Sequence, residues 1–340
     1  MNMILNRQFD AAAPFAYAQT RGLIAAFEGW ERGNLARLLL YPPHSDPRRD
    51  GKQLYSLVAQ AITARTGEDP EIDLVRQLIR DLPDEVRATE NLLELGPGIA
   101  SNVADKTTLL GKAMRPRRYA AVDVNAQFAA EACAVMQCQF RLRSARCVAD
   151  DIFRPRKRLR WKGRRLVFSA GMTFANLPVI ATDRLPVAAF VTHLENWAWL
   201  AGTGGYLCVT LDGETNADLA LAPYRSSATL TFMAGAAHRI AALCDGARPE
   251  WFAYEPIFHR GSGMVEHALI ATRSMRFTIL GDWRPYRLLP RGSHISILPS
   301  YKLPFARMQE LAELAGLHVV AMVEHDHRYI VLLRVGEVRR

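Results

Sequence analysis

The chain has 340 residues, of which 49% are hydrophobic and 23% charged, and its formal net charge is +9. This composition can supply a full-sized buried core, which excludes a mainly disordered protein. No run approaches the roughly 18 to 20 uninterrupted apolar residues of a membrane-spanning helix, and the N-terminus lacks a basic region followed by an apolar one. We therefore expect a soluble, cytoplasmic protein without a membrane partner.

The chain begins with predicted helices and continues with alternating strands and helices. Amphipathic periodicity predicts helices over Ala11 to Gly29, Leu54 to Thr66 and Glu71 to Leu82, with a break at Tyr41-Pro42-Pro43. From Asn91 onwards, five short apolar runs are spaced as in βα units, which predicts a parallel sheet covered by helices on both faces, an α/β fold. The predicted strands are Leu92 to Leu95, Tyr119 to Val124, Arg146 to Ala149, Leu166 to Ala170 and Tyr206 to Leu211.

The last third of the chain mixes both kinds of element. Ala217 to Asp245 is predicted as one helix, Met264 to Leu280 alternates as antiparallel strands do, and Pro304 to Gly316 is a helix that begins at proline and ends at glycine. The apolar runs Val319 to Val323 and Tyr329 to Val335 are predicted to form a hairpin that closes the sheet.

The five cysteines are odd in number, have no CxxC spacing and mostly lie in apolar runs; they are Cys133, Cys138, Cys147, Cys208 and Cys244. This pattern indicates buried thiols of a reducing compartment. The only candidate for a zinc site is His325-Asp326-His327, which we interpret as a solvated turn between two strands, so we expect no metal cofactor.

The basic excess is concentrated in one segment. Arg154 to Arg165 holds eight Lys and Arg in twelve residues with one aromatic, Trp161. Such a run could contact nucleic acid, but a binding face normally recruits basic residues from several segments, so a solvated loop is the favoured interpretation.

The strongest local signal is an apolar strand that enters a glycine turn, Leu92-Leu-Glu94-Leu-Gly96-Pro97-Gly98. Glycines at such a turn let the backbone approach a ligand closely. The next predicted strand carries Asp123, where a carboxylate can accept hydrogen bonds from both hydroxyls of a ribose. The turn alone is a weak signal, but together the two features predict a nucleoside site.

The spacing of acids distinguishes between cofactors. A dinucleotide fingerprint requires a third glycine where this chain has Ser101. Acids instead accompany three successive strands, as Glu94, Asp123 and the pair Asp150-Asp151. Each alone is more often a turn or cap residue. Three acidic positions at equivalent places on successive strands suit S-adenosylmethionine, because its sulfonium is cationic and it has no pyrophosphate.

From about Gly51 to the C-terminus, several segments occur in the order found in one known family. They are Glu94-Leu-Gly96-Pro-Gly98, Asp105-Lys106-Thr107, Asp123, Asp150-Asp151-Ile152, Gly171-Met-Thr-Phe-Ala-Asn176, Leu211-Asp212 through Tyr224, and Ser300-Tyr301-Lys302. The sequence thereby resembles the histidine-specific class I methyltransferases, whose best-known member makes the trimethylated histidine of ergothioneine biosynthesis. The resemblance implies a doubly wound, Rossmann-like methyltransferase domain, a second α+β substrate domain and S-adenosylmethionine as cofactor.

The resemblance also implies residue roles. The cofactor ligands would be Glu94, Gly96, Gly98, Lys106, Asp123, Asp150, Asp151 and Ile152. The acceptor would lie against Gly171, Asn176, Tyr224, Leu298 and Ser300, with Asn176 and Tyr224 orienting its amino acid head group as the catalytic pair. The family's tyrosine holds the substrate carboxylate. The ammonium group of an acceptor must lose a proton before it attacks the methyl group. Tyr224, Asp212 and water are alternative acceptors of this proton.

Two departures concern the acceptor. Two residues before Ser300, a histidine-methylating member carries a glutamate that binds the imidazole, whereas this chain has Leu298. A tyrosine pair expected near Thr63 to Thr66 is also absent. A pocket without this acid disfavours imidazole, because burying an unpaired N–H costs free energy. We therefore predict that the acceptor has an indole-type or otherwise less polar side chain. A thioether that is methylated on sulfur is an alternative acceptor.

We predict a cofactor domain over 67–212 and 302–340 and a substrate domain over 1–66 and 213–301. The function expected is methylation, on nitrogen in the first place, of a small amino acid or amino-acid-derived metabolite in secondary metabolism. The alternative is an RNA-binding protein or RNA methyltransferase that uses Arg154 to Arg165. A weaker alternative is a protein that binds the cofactor but catalyses no methyl transfer.

Overall fold

Helices precede the first strand, as predicted. The computed structural model describes residues 21–24, 35–42, 44–66, 68–153, 161, 163–282 and 286–336. The predicted helix over Ala11 to Gly29 lies outside the described residues except for 21–24, which are helical. The helices that follow are α1 (Ala36–Leu39), α2 (Gly51–Thr66), α3 (Pro70–Arg80) and α4 (Asp84–Arg87). The predictions for α2 and α3 are confirmed. Helix α3 begins at residue 70 because Pro70 fits the first helical position and the Asp69 side chain accepts the backbone N–H of Glu71, 2.9 Å away.

Five parallel strands follow, again as predicted. They are β1 (Asn91–Leu95), β2 (Arg118–Asp123), β3 (Ser144–Ala149), β4 (Leu166–Ser169) and β5 (Tyr206–Asp212). The helices between them are α5 (Ala100–Asn102), which continues through a π-helical turn (Val103–Thr107) into α6 (Thr108–Met114), and then α7 (Ala126–Gln139) and α8 (Val187–Ala201). Strand β1 pairs with both β2 and β4, so the strand order reverses there. In open α/β sheets, ligands bind beyond the carboxyl ends of the strands at such a reversal.

The remaining elements close this sheet and build two smaller ones. They are α9 (Ala217–Leu221), α10 (Ser227–Leu243), β6 (Cys244–Asp245), β7 (Phe252–His259), β8 (Met264–Ala271), β9 (Met275–Ile279), β10 (Arg287–Leu289), β11 (His294–Tyr301), α11 (Phe305–Leu314), β12 (Leu317–His325) and β13 (Arg328–Val335). The large sheet has the order β12-β13-β5-β4-β1-β2-β3, with β13 antiparallel to β5 and β12. The predicted hairpin that closes the sheet is therefore confirmed.

The single helix predicted over Ala217 to Asp245 is wrong. A 3-10 turn (Ala222–Arg225) interrupts it, and Ser226 then caps α10 by accepting the backbone N–H of Thr229 at 3.2 Å. Pro223 lies in the interruption, where its missing N–H and fixed φ favour a break. The break places Tyr224 on a turn rather than on a helix.

The small sheets have the orders β11-β8-β7 and β10-β9-β6. The antiparallel strands predicted over Met264 to Leu280 are confirmed as β8 and β9, but they belong to different sheets. All strands of the large sheet fall within residues 91–212 and 317–335, and those of the small sheets within 244–301. We propose the predicted boundaries at 66/67, 212/213 and 301/302 as the domain limits on this basis.

Both faces of the large sheet are buried. Successive residues of β1 point to opposite faces: Leu93 packs in the cluster that contains Trp197, and Leu92 in the one that contains Leu74. A third cluster, which includes Phe232, Leu269 and other residues of α10 and the small sheets, forms a separate core. Burial on both faces explains why the strands of the large sheet are continuous apolar runs.

The structure corrects the expectation that the cysteines are buried. Cys138 and Cys147 are exposed, whereas the other three cysteines are buried, and all five are free thiols. His325-Asp326-His327 is confirmed as an exposed turn, between β12 and β13. None of the helices in the described ranges is both long and apolar enough to cross a membrane.

Most of the basic run lies outside the described residues, namely 154–160 and 162. Trp161, its aromatic residue, is only 7% exposed and packs in the core of the large sheet. Arg165 donates to the Trp161 carbonyl at 2.6 Å. A buried Trp161 cannot stack on a base, so it gives no support to the RNA alternative.

Candidate functional site

Two cavities meet at the carboxyl edge of the large sheet. One, of about 160 Å³, we call the glycine-loop cavity after Gly96 and Gly98, which line it. The other, of about 240 Å³, we call the Tyr224 cavity. Five residues line both cavities, and these are Tyr41, Tyr55, Gly171, Asn176 and Leu298. The shared wall means that molecules in the two cavities would be neighbours.

The glycine-loop cavity depends on the turn after β1. Gly96 and Gly98 have φ of +67° and +68°, a region that favours glycine. A Cβ at Gly96 would lie 3.0 Å from Thr173 Cγ2, and one at Gly98 would lie 3.3 Å from the Tyr55 ring. The sequence therefore keeps this wall bare, as a closely approaching ligand requires.

Asp123 presents its carboxylate to the same cavity from the end of β2. It is 7% exposed, and its Oδ1 accepts the backbone N–H of Asn125 at 2.8 Å. Burial raises the pKa of Asp123 to about 7, although the hydrogen bonds from the backbone of Asn125 and Gly98 oppose this shift. A carboxylate has about four acceptor sites, so capacity remains for the two hydroxyls of a ribose.

The two acids after β3, Asp150 and Asp151, differ in what their carboxylates contact. Asp151 and Ile152 line the glycine-loop cavity, and Asp151 is paired at 2.8 Å with Arg37 of α1, which also lines it. Asp150 is not among the lining residues; its carboxylate accepts the backbone N–H of Asp151 at 2.9 Å. Of this predicted pair, only Asp151 is placed to meet a ligand.

Glu94 does not line either cavity, contrary to its expected role as a cofactor ligand. It is 2% exposed and accepts hydrogen bonds from Thr107 Oγ1, at 2.6 Å, and from the Tyr119 hydroxyl. Burial raises its pKa to about 7, although these hydrogen bonds oppose the shift. Glu94 thus ties β1 to β2 and to the π-helical turn behind the glycine loop.

Lys106 lines the Tyr224 cavity rather than the glycine-loop cavity. Its Nζ lies 2.6 Å from Asp69 Oδ2 and also pairs with Glu71. Glu71 further accepts the backbone N–H of Gly171 and the hydroxyl of Thr210, the latter at 2.8 Å. Burial alone would raise the pKa of Glu71, but the charge of Lys106 and these hydrogen bonds hold it below its ordinary value.

Sequence reasoning missed Glu71, which joins α3 to the ends of β4 and β5. Its only signal was its position in the first turn of a predicted helix, where an acid is ordinary. Its three polar partners, Lys106, Gly171 and Thr210, come from segments far apart in the chain, so no local pattern reveals them.

A hydrogen-bonded chain lines the Tyr224 cavity. The Tyr224 hydroxyl lies 3.2 Å from Ser300 Oγ and accepts a hydrogen bond from Lys302 Nζ at 3.0 Å. Lys302 Nζ also lies 2.6 Å from Asp212 Oδ2. Burial opposes the charge of Lys302, but Tyr224 and Asp212 outweigh it and hold its pKa above the ordinary value. The predicted residues Tyr224 and Ser300 are thus brought together, and Lys302 donates to the Tyr224 hydroxyl.

Asn176 lies at the junction of the cavities, just after a 3-10 turn (Thr173–Ala175). Its backbone N–H donates to the Thr173 carbonyl at 3.1 Å, which fixes the turn. Its side-chain amide is half-buried and offers both donors and an acceptor to a polar group in either cavity.

Tyrosines do line the junction, although none occurs at Thr63 to Thr66. They are Tyr41, before α2, and Tyr55, within it, and their ring centroids are 6.2 Å apart. Both rings contact Phe232 of α10, with centroids 5.8 and 5.9 Å away. Sequence reasoning missed them because it sought the tyrosines further along the same helix.

Leu298 and His267 form part of one wall. Leu298 on β11 is paired directly with His267 on β8, and both line the Tyr224 cavity. His267 also packs edge-on against the Tyr224 ring, with centroids 4.5 Å apart. The departure at Leu298 therefore lies on the wall shared by the two cavities, and His267 is a further lining residue that sequence reasoning missed.

Three comparisons with known proteins complete this description. A family model described as "Histidine-specific methyltransferase, SAM-dependent" matches residues 61–335. No curated protein matches the chain. Among solved structures, the chain is similar to an S-adenosylmethionine-dependent methyltransferase from Clostridium acetobutylicum, with 12% identity, coverage of 83% of this chain and 99% of that chain, and a TM-score of 0.47. It is also similar to CalS10, an amino pentose methyltransferase from Micromonospora echinaspora, with 15% identity, coverage of 82% and 96%, and a TM-score of 0.37.

Proposed function

The chain belongs to the histidine-specific, S-adenosylmethionine-dependent methyltransferase family, and from this premise we propose that it methylates the amino group of an amino acid, or a close derivative, with a side chain less polar than imidazole. The enzyme is a methyltransferase, and S-adenosylmethionine is its cofactor. The RNA alternative has no support. The observation that carries the acceptor proposal is Leu298, which lines the Tyr224 cavity where an imidazole-binding acid would be needed.

The glycine-loop cavity fits this cofactor. Asp123 offers a buried carboxylate for the ribose hydroxyls, and the bare backbone at Gly96 and Gly98 allows close approach. Tyr41 and Tyr55 line the junction, where aromatic rings favour a cation. When bound, the cofactor supplies an electrophilic methyl group on a sulfonium.

The chain's own residues position the acceptor. The Tyr224 and Ser300 hydroxyls can donate to its carboxylate, with Arg328 on the same cavity wall as a cation. Asn176 at the junction orients its amino group toward the glycine-loop cavity. Catalysis of this kind rests on holding the reacting groups in line, so most of the rate gain comes from positioning.

The apolar wall supports a less polar side chain. Val58, Phe232 and Met233 line the Tyr224 cavity together with Leu298. An imidazole has two polar ring nitrogens, and the side chain of Leu298 can pair with neither, so a hydrogen bond lost there weakens binding by roughly 1–3 kcal/mol. Histidine is therefore the disfavoured acceptor.

The test is a product screen by mass spectrometry. Purified protein, S-adenosylmethionine and a pool of standard amino acids should give a product one methyl group heavier, from an apolar or aromatic amino acid. The Asn176→Ala variant should lose this product, whereas Gln309→Ala, which changes an exposed amide on α11, should keep it. A histidine product, or a product on the sulfur of a thioether, would contradict the proposal while leaving the family intact.

A further inference from the structure

One buried imidazole on the wall of the Tyr224 cavity has an unsatisfied nitrogen. His267 is 1% exposed and lines this cavity. Its Nδ1 lies 2.7 Å from the Tyr254 hydroxyl, and its Nε2 has no hydrogen-bond partner among the residues that the structure describes. Buried polar atoms in folded proteins nearly always have a partner, so an unsatisfied nitrogen on a cavity wall indicates a ligand atom.

The imidazole is neutral. Burial, and then the charge of Lys302, lower the pKa of His267 to about 3. A neutral ring has one N–H donor and one lone pair. The Tyr254 hydroxyl can donate to Nδ1 or accept Nδ1–H, depending on the ring tautomer. In the tautomer with Nδ1–H, Nε2 is left as a hydrogen-bond acceptor.

The position of His267 links it to the acceptor side chain. His267 and Leu298 are directly opposite on antiparallel strands, so their side chains share one face of the small sheet. Phe232 and Met233 also line the cavity. The wall therefore combines apolar surface with one neutral acceptor nitrogen, which suits a ring with a single polar hydrogen.

We propose that His267 Nε2 accepts a hydrogen bond from the side chain of the methyl acceptor, which is a neutral aromatic ring bearing one N–H or O–H, as in an indole or a phenol. The inference rests on the proposed function and narrows its substrate class. His267 is a specificity-determining residue and takes no part in methyl transfer.

The test compares ligands that differ in this one hydrogen-bond donor. Binding to the full chain saturated with S-adenosylhomocysteine is measured calorimetrically for L-tryptophan against 3-benzothienyl-L-alanine, and for L-tyrosine against L-phenylalanine. We expect the N–H or O–H member of at least one pair to bind about tenfold more tightly or better, as for other sites built to hydrogen-bond a ligand. The pair that shows the preference identifies the ring as indole or phenol.

Variants assign the preference to the histidine. In His267→Leu the ratio within the preferred pair should fall to about one, while affinity for the member without the donor changes less than about threefold. His318→Leu, on edge strand β12 and exposed, should keep the ratio. If His267→Leu does not fold, Tyr254→Phe serves instead: it removes the hydroxyl that fixes the ring tautomer, and the ratio should fall with the imidazole in place.

Two results would overturn the inference: a ratio near one for both pairs in the unaltered protein, or a ratio that survives in His267→Leu. The product screen separates this failure from that of the proposed function. If another amino acid is methylated while neither pair shows a preference, the inference fails and the proposed function stands. If no amino acid is bound or methylated, the proposed function fails and the inference fails with it.

Discussion

The two cavities share a wall but are built in different ways. The glycine-loop cavity draws on the ends of consecutive parallel strands, with Gly96 and Gly98 after β1, Asp123 at the end of β2 and Asp151 after β3. The Tyr224 cavity draws on α2, a 3-10 turn, and strands of both the large sheet and a small one. The first arrangement follows from local strand-turn-helix geometry, whereas the second exists only after distant segments have packed. Changes in the first should therefore affect cofactor binding, and changes in the second the choice and use of the acceptor.

The largest effect is expected from blocking the glycine loop. Gly98→Val forces a side chain into a region of positive φ and against Tyr55, so cofactor affinity should fall about 100-fold or more by calorimetry. Gly316→Val is the matched control, because Gly316 has φ +71° with open space around it. Both variants should lose a similar amount of stability, and only Gly98→Val should lose the cofactor. Equal affinities in the two variants would contradict the role of the loop.

The next effect falls on the other cavity alone. Tyr224→Phe removes the hydroxyl that contacts Lys302 and Ser300, so kcat/KM for the acceptor should drop roughly 10- to 100-fold, the equivalent of about 1.4–2.7 kcal/mol. Cofactor affinity should stay within about twofold, because Tyr224 does not line the glycine-loop cavity. Tyr286→Phe, at a tyrosine 53% exposed, controls for the loss of a hydroxyl. A parallel loss of cofactor affinity would mean that the cavities do not act separately.

A third substitution should change the acceptor without abolishing activity. Leu298→Glu restores an acid opposite His267, and histidine methylation should rise about tenfold relative to the preferred acceptor in competition assays. Leu314→Glu places the same charge at an exposed site, 64% accessible, and should leave the preference unchanged. Should histidine remain unused in Leu298→Glu, the discrimination against imidazole would have to come from another residue.

The last effect is a pH dependence confined to the cofactor side. Burial raises the pKa of Asp123 to about 7, so the group is protonated, and loses acceptor capacity, as the pH falls through that value. Affinity for S-adenosylhomocysteine should therefore weaken by up to about tenfold per pH unit below pH 7 and level off above it. Asp123→Asn should bind weakly with a flat profile between pH 5.5 and 8, whereas Asp326→Asn, at an exposed turn, should keep the original profile. An unchanged slope in Asp123→Asn would assign the titration to another group.

The sequence predicted the cofactor side in most of its parts. Five strands, the glycine turn and Asp123 were visible because parallel strands buried on both faces are short apolar runs, and their ends carry the functional residues. What it could not give is orientation: Glu94 and Asp150 are acids in the expected register, but Glu94 is hydrogen-bonded to Thr107 and Tyr119, and Asp150 to the backbone of Asp151. A pattern of acids gives their positions along the strands and not the direction of their side chains.

The acceptor side was less visible. Tyr224 and Ser300 were recognised only by resemblance, and the helix predicted through Tyr224 is in fact broken at Pro223. Glu71 and His267 were missed because an acid in a first helical turn and a histidine in a strand are ordinary in sequence. Glu71 is distinguished by partners 100 and 139 residues away, Gly171 and Thr210, and His267 by an unsatisfied nitrogen.

The sequence by itself determined the α/β fold class, the parallel strands and the glycine turn, because these depend on local periodicity and on backbone conformations open to glycine. Only the tertiary structure decided which acids face a ligand, which tyrosines line the junction, and that His267 lies opposite Leu298. Strand register and long-range packing set these contacts, and both result from burial summed over the whole chain rather than from any short segment.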